Sequence, residues 1–222
     1  MIIAEPLTTL TDYAIAVEAT IFAIMLNQSR QTSVRLWAAA FAGVAIAALL
    51  GGTLHGFVPH MELGTRILLW KGTLYLLGLT SFLLLAGTVI SSVPHRWHRW
   101  MLPIVGLKSF GYLGLATVRS NFAYVVADYL SALVIVLLLQ LRAARRHRAP
   151  GAPWILAGVL VSGVAVAVLR SRLALPFMIR SVDLYHVVQM VALYLLYRGV
   201  RQLRDVEPIA YSIKNPQHEA GE

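Results

Sequence analysis

Seven runs of apolar residues, parted by short segments rich in arginine, histidine, proline and asparagine, constrain this chain more than any other feature. They cover roughly 7–27, 36–58, 66–90, 101–118, 121–141, 153–170 and 182–203. Each run is long enough for a helix to cross a hydrocarbon core about 30 Å thick. Lipid offers no partner to backbone N–H and C=O groups, so such runs become helices that satisfy those groups internally. Of the 222 residues 58% are hydrophobic and 13% charged, with mean hydropathy +0.70, whereas a soluble domain carries about 25% charged residues. The expected fold is an all-α, polytopic integral membrane protein. It is a seven-transmembrane-helix bundle over residues 1–204, followed by a flexible cytoplasmic tail at 205–222.

The net charge of +9 is not a nucleic-acid footprint, because the basic residues sit in the loops between apolar spans. On one side of a seven-span topology lie Arg30, Arg35, Arg96, Arg99, Arg142, Arg145, Arg146, Arg148, Arg198, Arg201, Arg204 and Lys214. On the other lie only Arg66, Arg119, Arg170, Arg172 and Arg180. The bias puts the N-terminus outside and the C-terminus in the cytoplasm, in a bacterial-type inner membrane whose bilayer is the first partner. Residues 1–6 carry no basic segment before the first apolar run, so that run is expected to be a retained span. There are no cysteines, which excludes disulfides, a thiolate nucleophile and a cysteine-ligated metal.

Polar residues inside the spans concentrate at one depth. With this topology Asp12, His55, Lys71, Asp128, Asp183 and His186 fall in the outer half of the bundle, Glu18 lies near the middle, and Lys108 is the exception on the fourth span. The last span is the most telling, with Asp183, His186 and Gln189 on one helical stripe. A charge near the bilayer centre costs about 2.5–3.5 kcal/mol on insertion scales, so these groups should face inward and pair. Asp12, Glu18, Asp128 and Asp183 outnumber Lys71 at this level. The excess calls for arginines from the rim, protonation or a bound cation. More ordinary roles stand beside this: Asp183 as a helix cap, His186 as a core histidine bonded to Glu18 or a carbonyl, and Gly51, Gly52, Gly111 and Gly114 as close-packing positions. Trp97, Trp100, Tyr194 and Tyr197 read as cytoplasmic interface anchors.

A zinc hydrolase needs three protein ligands and an open position for water. His55 and His186 are the imidazole candidates, with His60, Asp183 or Asp128 as the third ligand. No His-Glu-x-x-His pair is present. Seven spans, a histidine ending the second and the pair Tyr185-His186 opening the seventh together resemble the CREST superfamily, which includes alkaline ceramidases and progestin/adiponectin-receptor-like proteins. The chain has Gly51 at that pattern's serine, Trp70-Lys71 where its third-span aspartate would be expected, and Val182 at the first histidine of its last pair. The resemblance implies a zinc-dependent hydrolase of a lipid or lipid-like amide or ester. His55 and His186 would then be ligands, Asp183 a ligand or the orienter of His186, and Asp128 or Glu18 the base. A second reading is a transporter or small-ligand sensor whose buried carboxylates carry protons or bind a cation. A third is a haem protein with His55 and His186 as axial ligands.

Overall fold

A computed structural model describes residues 3–147, 149–171 and 179–206. Arg148, Arg172 and Lys214, counted above for orientation, lie outside the described residues, as does the tail from 207 onward. The described residues form seven α-helices: α1 (Pro6–Asn27), α2 (Thr32–Phe57), α3 (Leu63–Ser92), α4 (His98–Val118), α5 (Phe122–His147), α6 (Ala152–Arg170) and α7 (Ser181–Val200). Single 3₁₀ turns at Val58–His60 and His95–Trp97 open the links into α3 and α4. Pro6 begins α1, where its missing N–H costs nothing, and Pro153 sits in the first turn of α6. The helices α2, α3 and α5 overrun their apolar runs by a few residues, α2 taking in Arg35 and α5 Arg142.

Six helices, α1 to α6, are long and apolar enough to cross a membrane. α7 is less apolar because its first half carries Asp183, His186 and Gln189. All three are buried, while Val187, Val191 and Tyr194 are exposed on the opposite face. Twenty residues at about 1.5 Å each still give α7 the length of a hydrocarbon core.

The packing order is not the chain order. α1 lies between α2 and α7, α2 packs on α3, α3 on α5, α5 on α6 and α6 on α7, which closes a ring of six. α4 stands outside, chiefly against α3, with Ile104, Leu107, Phe110 and Val118 exposed. Two ties hold it there. Lys71 donates to the Ala116 and Thr117 carbonyls at 3.1 and 2.5 Å, so this cation caps the end of α4 and, among the described residues, meets no carboxylate. Tyr112 donates to the Leu74 carbonyl at 3.0 Å.

Glycines set the close approaches. A Cβ on Gly52 would lie 2.8 Å from Asp12 Cβ, and one on Gly158 2.9 Å from the Leu196 backbone nitrogen, so α1–α2 and α6–α7 pack nearly backbone to backbone. Gly111 and Gly114, expected at such contacts, have nothing within 4 Å because α4 turns that face outward. Tyr197, expected at the interface, is buried instead and stacks on Phe22 at 4.3 Å and 7°. Phe41 meets Phe22 edge-on at 5.7 Å. This aromatic cluster packs the Asn27 end of the ring. Trp97, Trp100 and Tyr194 are exposed as expected.

Asp205 and Val206, expected in the tail, belong to the bundle. The Asp205 carboxylate accepts from the Thr32 and Ser33 backbone N–H groups at 2.6 and 2.9 Å, and Val206 N–H donates to the Ile90 carbonyl at 3.1 Å. The unpaired N–H groups and positive dipole end of α2 draw the carboxylate back.

Candidate functional site

The other end of the ring, where α1 and α7 begin and α2 ends, holds a polar network above a cavity. Arg180, at the N-cap of α7, grips both Glu5 oxygens at 2.8 Å and also donates to Thr8. Thr8 in turn donates to Asp183 Oδ1 at 2.6 Å. Asp183 Oδ2 accepts the Arg180 backbone N–H at 2.8 Å, closing a capping box. His55 Nδ1 lies 2.7 Å from Glu5 Oε2. Three helix ends are thereby tied through two residues that precede their helices. The guanidinium holds the Glu5 carboxyl down at about 2, with partial burial opposing it and His55 assisting. Glu5 in turn raises Arg180 above its ordinary value.

Below this lies a cavity of about 340 Å³, lined by all six ring helices and by none of α4. Its wall is mostly aliphatic and aromatic, with Trp70, Phe122, Tyr129 and Tyr185 among the rings. The polar exceptions include Asp12 on α1, His55 on α2, Thr73 on α3, and His186 and Gln189 on α7. Thr11 donates to the Thr8 carbonyl at 3.0 Å and lies 2.8 Å from His186 Nδ1. Nε2 faces Asp12 Oδ1 at 3.4 Å. With the imidazole proton on Nδ1, donated to Thr11, two acceptors face each other and need a donor from the cavity; with it on Nε2, the ring donates to Asp12. Asp12 Oδ2 is buried without a partner, and so is Gln189 Oε1. Gln189 Nε2 donates to Ser162 at 3.3 Å, with Tyr129 beside both.

The expected site residues separate into two groups. His55 and His186 both line the cavity. Asp183 sits at the same end but turns its oxygens to Thr8 and the Arg180 backbone. Asp128 is away from both histidines: it pairs with Lys108 at 2.5 Å, between α5 and α4, outside the cavity lining. Glu18 lies about 9 Å further along α1 than Asp12, half-buried, with Oε2 unpartnered and no part in the lining. His186 bonds to neither Glu18 nor a carbonyl. Among the described residues no three histidine or carboxylate groups gather as a metal ion requires. The donor set at this end does not fit one: Asp183 is a cap, and His55 is tied to Glu5.

Glu5, Thr8, Thr11, Tyr129 and Ser162 were not singled out from the sequence. The Thr-rich opening of α1 held a signal, since Thr8 and Thr11 share the Asp12 end and stand three residues apart. Ser162 on α6 held none.

The family model DUF6962, a family of unknown function, matches residues 7–205. The chain belongs to the DUF6962 family. The match takes in all seven helices of this DUF6962 protein and ends at Asp205, the residue that caps α2. No curated protein and no solved structure matches it.

Proposed function

We propose that this DUF6962 protein is a seven-span membrane protein, N-terminus outside and C-terminus in the cytoplasm of a bacterial-type inner membrane, that binds a small lipid-like ligand in its central cavity. Asp12, His186 and Gln189 hold the ligand's polar end. This is the function of a sensor or carrier. One observation carries the reading: a cavity of about 340 Å³ with an apolar wall and two buried, unpartnered acceptors, Asp12 Oδ2 and Gln189 Oε1. Protein interiors keep few voids larger than a water, and buried polar atoms are nearly always bonded. Volume, an apolar wall and a few convergent polar groups are the marks of a small-molecule pocket. The seventh span is supported by α7 turning its polar stripe inward and its apolar face out. The orientation is supported by the excess of basic residues beside the Asn27 end of the bundle.

Filling the cavity tests this. Ala48 lines it; wild-type protein is expected to co-purify with lipid-like molecules detectable by mass spectrometry, and Ala48→Phe to abolish this with unchanged folded yield. A wild-type protein that carries none and binds no apolar probe would sink the reading.

A second reading is hydrolysis of a lipid-like amide or ester, as the resemblance to ceramidase-like proteins implies. It is favoured by the Thr11–His186–Asp12 chain, which turns an imidazole nitrogen beside a carboxylate toward the cavity, where a general base would stand. Its zinc-dependent form would have to bring a third donor to His55 and His186. Metal analysis of purified protein, with His55→Ala and His186→Ala alongside, decides that form. Absence of stoichiometric zinc from the wild type ends it.

A further inference from the structure

We infer that the molecule held in the cavity ends in a protonated amine, a conclusion that rests on the ligand-binding reading above. Of the polar groups around the cavity, the Tyr129 and Tyr185 hydroxyls can each donate or accept; the others divide by kind. Several donors are engaged within the protein: Trp70 Nε1–H on the Ser120 carbonyl at 2.8 Å, Thr73 on the Leu69 carbonyl at 3.0 Å, and Gln189 Nε2 on Ser162 at 3.3 Å. Thr11, behind His186, is on the Thr8 carbonyl. Two acceptors are not. Asp12 Oδ2 and Gln189 Oε1 have no partner, each on a residue only 7% exposed, and His186 Nε2 stands beside them, 3.4 Å from Asp12 Oδ1.

The charges point the same way. At this end Arg180 is bound to Glu5 and Thr8, with Asp183 at 4.0 Å, and Lys71 caps α4. Further along, Lys108 is bound to Asp128. Among the described residues none of these cations reaches Asp12. A buried carboxylate keeps its charge only with a counter-charge in contact, and the cavity beside Asp12 is where one fits.

An ammonium group supplies three donors and a positive charge. That matches the two bare acceptors, one of them an oxygen of a buried carboxylate that no lysine or arginine among the described residues contacts. The rings of Trp70, Tyr129 and Tyr185 on the same wall offer the faces that organic cations favour. A carboxylate or phosphate head would set a second negative charge against Asp12. An alcohol would bring one donor and leave an acceptor bare. The volume lies at the low end for small-molecule sites, which suits a short alkyl chain.

Three probes of equal chain length test the inference on the full chain in nanodiscs by titration calorimetry: octylamine, octanol and octanoate. At pH 7 octylamine is expected to bind at least tenfold more tightly than octanol, and octanoate more weakly than either. Asp12→Asn should bring the amine down to the alcohol's affinity and leave the alcohol within twofold. Gln189→Leu should lower the amine preference severalfold with Asp12 intact. Should Asp12→Asn fail to fold, raising the pH past the amine's own pKa of about 10.4 should erase the preference in the wild type. An amine that binds no better than the alcohol, or a preference that survives these changes, overturns the inference. If all three probes bind alike and Ala48→Phe removes them all, the cavity reading stands and the amine falls. If no probe binds, the cavity reading falls as well.

Discussion

Glu5 stands one position before α1, where Arg180 grips both its oxygens and His55 comes within 2.7 Å of one of them. Its carboxyl is held at about 2 against an ordinary 4.5. A folded-state value below the unfolded one means the contact contributes fully above about pH 4.5 and is lost as pH falls toward 2. Wild-type melting temperature is therefore expected to drop through that window, and Glu5→Gln to show a flatter profile. Because Arg180 is nearly half exposed, the gap at neutral pH should be about 1 kcal/mol or less. A wild type and variant with parallel profiles would show that the pair does not couple to folding. Asp205 offers a second test at this scale. Asp205→Ala removes the cap on Thr32 and Ser33 N–H and should cost about 0.5–2 kcal/mol in thermal or denaturant unfolding. Asp183 shows why single residues resist reading in sequence. Its place in the first turn of a helix suited a cap and a ligand equally, and only the position of Thr8, 175 residues away, assigns its second oxygen.

Between elements, a partly buried ion pair, Lys108 with Asp128 at 2.5 Å, ties α4 to α5. Lys108→Ala leaves Asp128 with no counter-charge and should destabilise the protein by about 3–5 kcal/mol, whereas Lys108→Met with Asp128→Leu should be close to neutral. Comparing urea or thermal unfolding of the two variants checks this. Glycines supply a contrast with opposite signs. Gly158→Val would drive a side chain into Leu196, including its backbone, and should collapse folded yield by prising α6 from α7. Gly111→Ala meets nothing within 4 Å and should be neutral or stabilising by up to about 1 kcal/mol through helix propensity. In the sequence both are glycines in apolar helices, and their different fates follow from the direction each faces.

For the molecule as a whole, the absence of cysteine makes orientation directly measurable. Single cysteines replacing Gln28 and Glu62 stand in successive loops. With the N-terminus outside, Glu62→Cys in intact cells should react with an impermeant maleimide and Gln28→Cys should react only after lysis. The reverse pattern would invert the topology.

The seven helices and most of their ends were legible from hydropathy alone, because a chain in lipid has no other way to satisfy its backbone. The position of each polar residue along its own helix was legible too, since distance along a helix is proportional to residue number. The tertiary structure alone decided azimuth and neighbour. It put α3 beside α5 and left α4 outside, gave Asp128 to Lys108, left Glu18 unpartnered, and set Asp12 against His186 over a cavity. Those choices depend on where glycines let two backbones close together and on which donor happens to face which acceptor across elements far apart in the chain. Neither is written in the spacing of residues along a single helix.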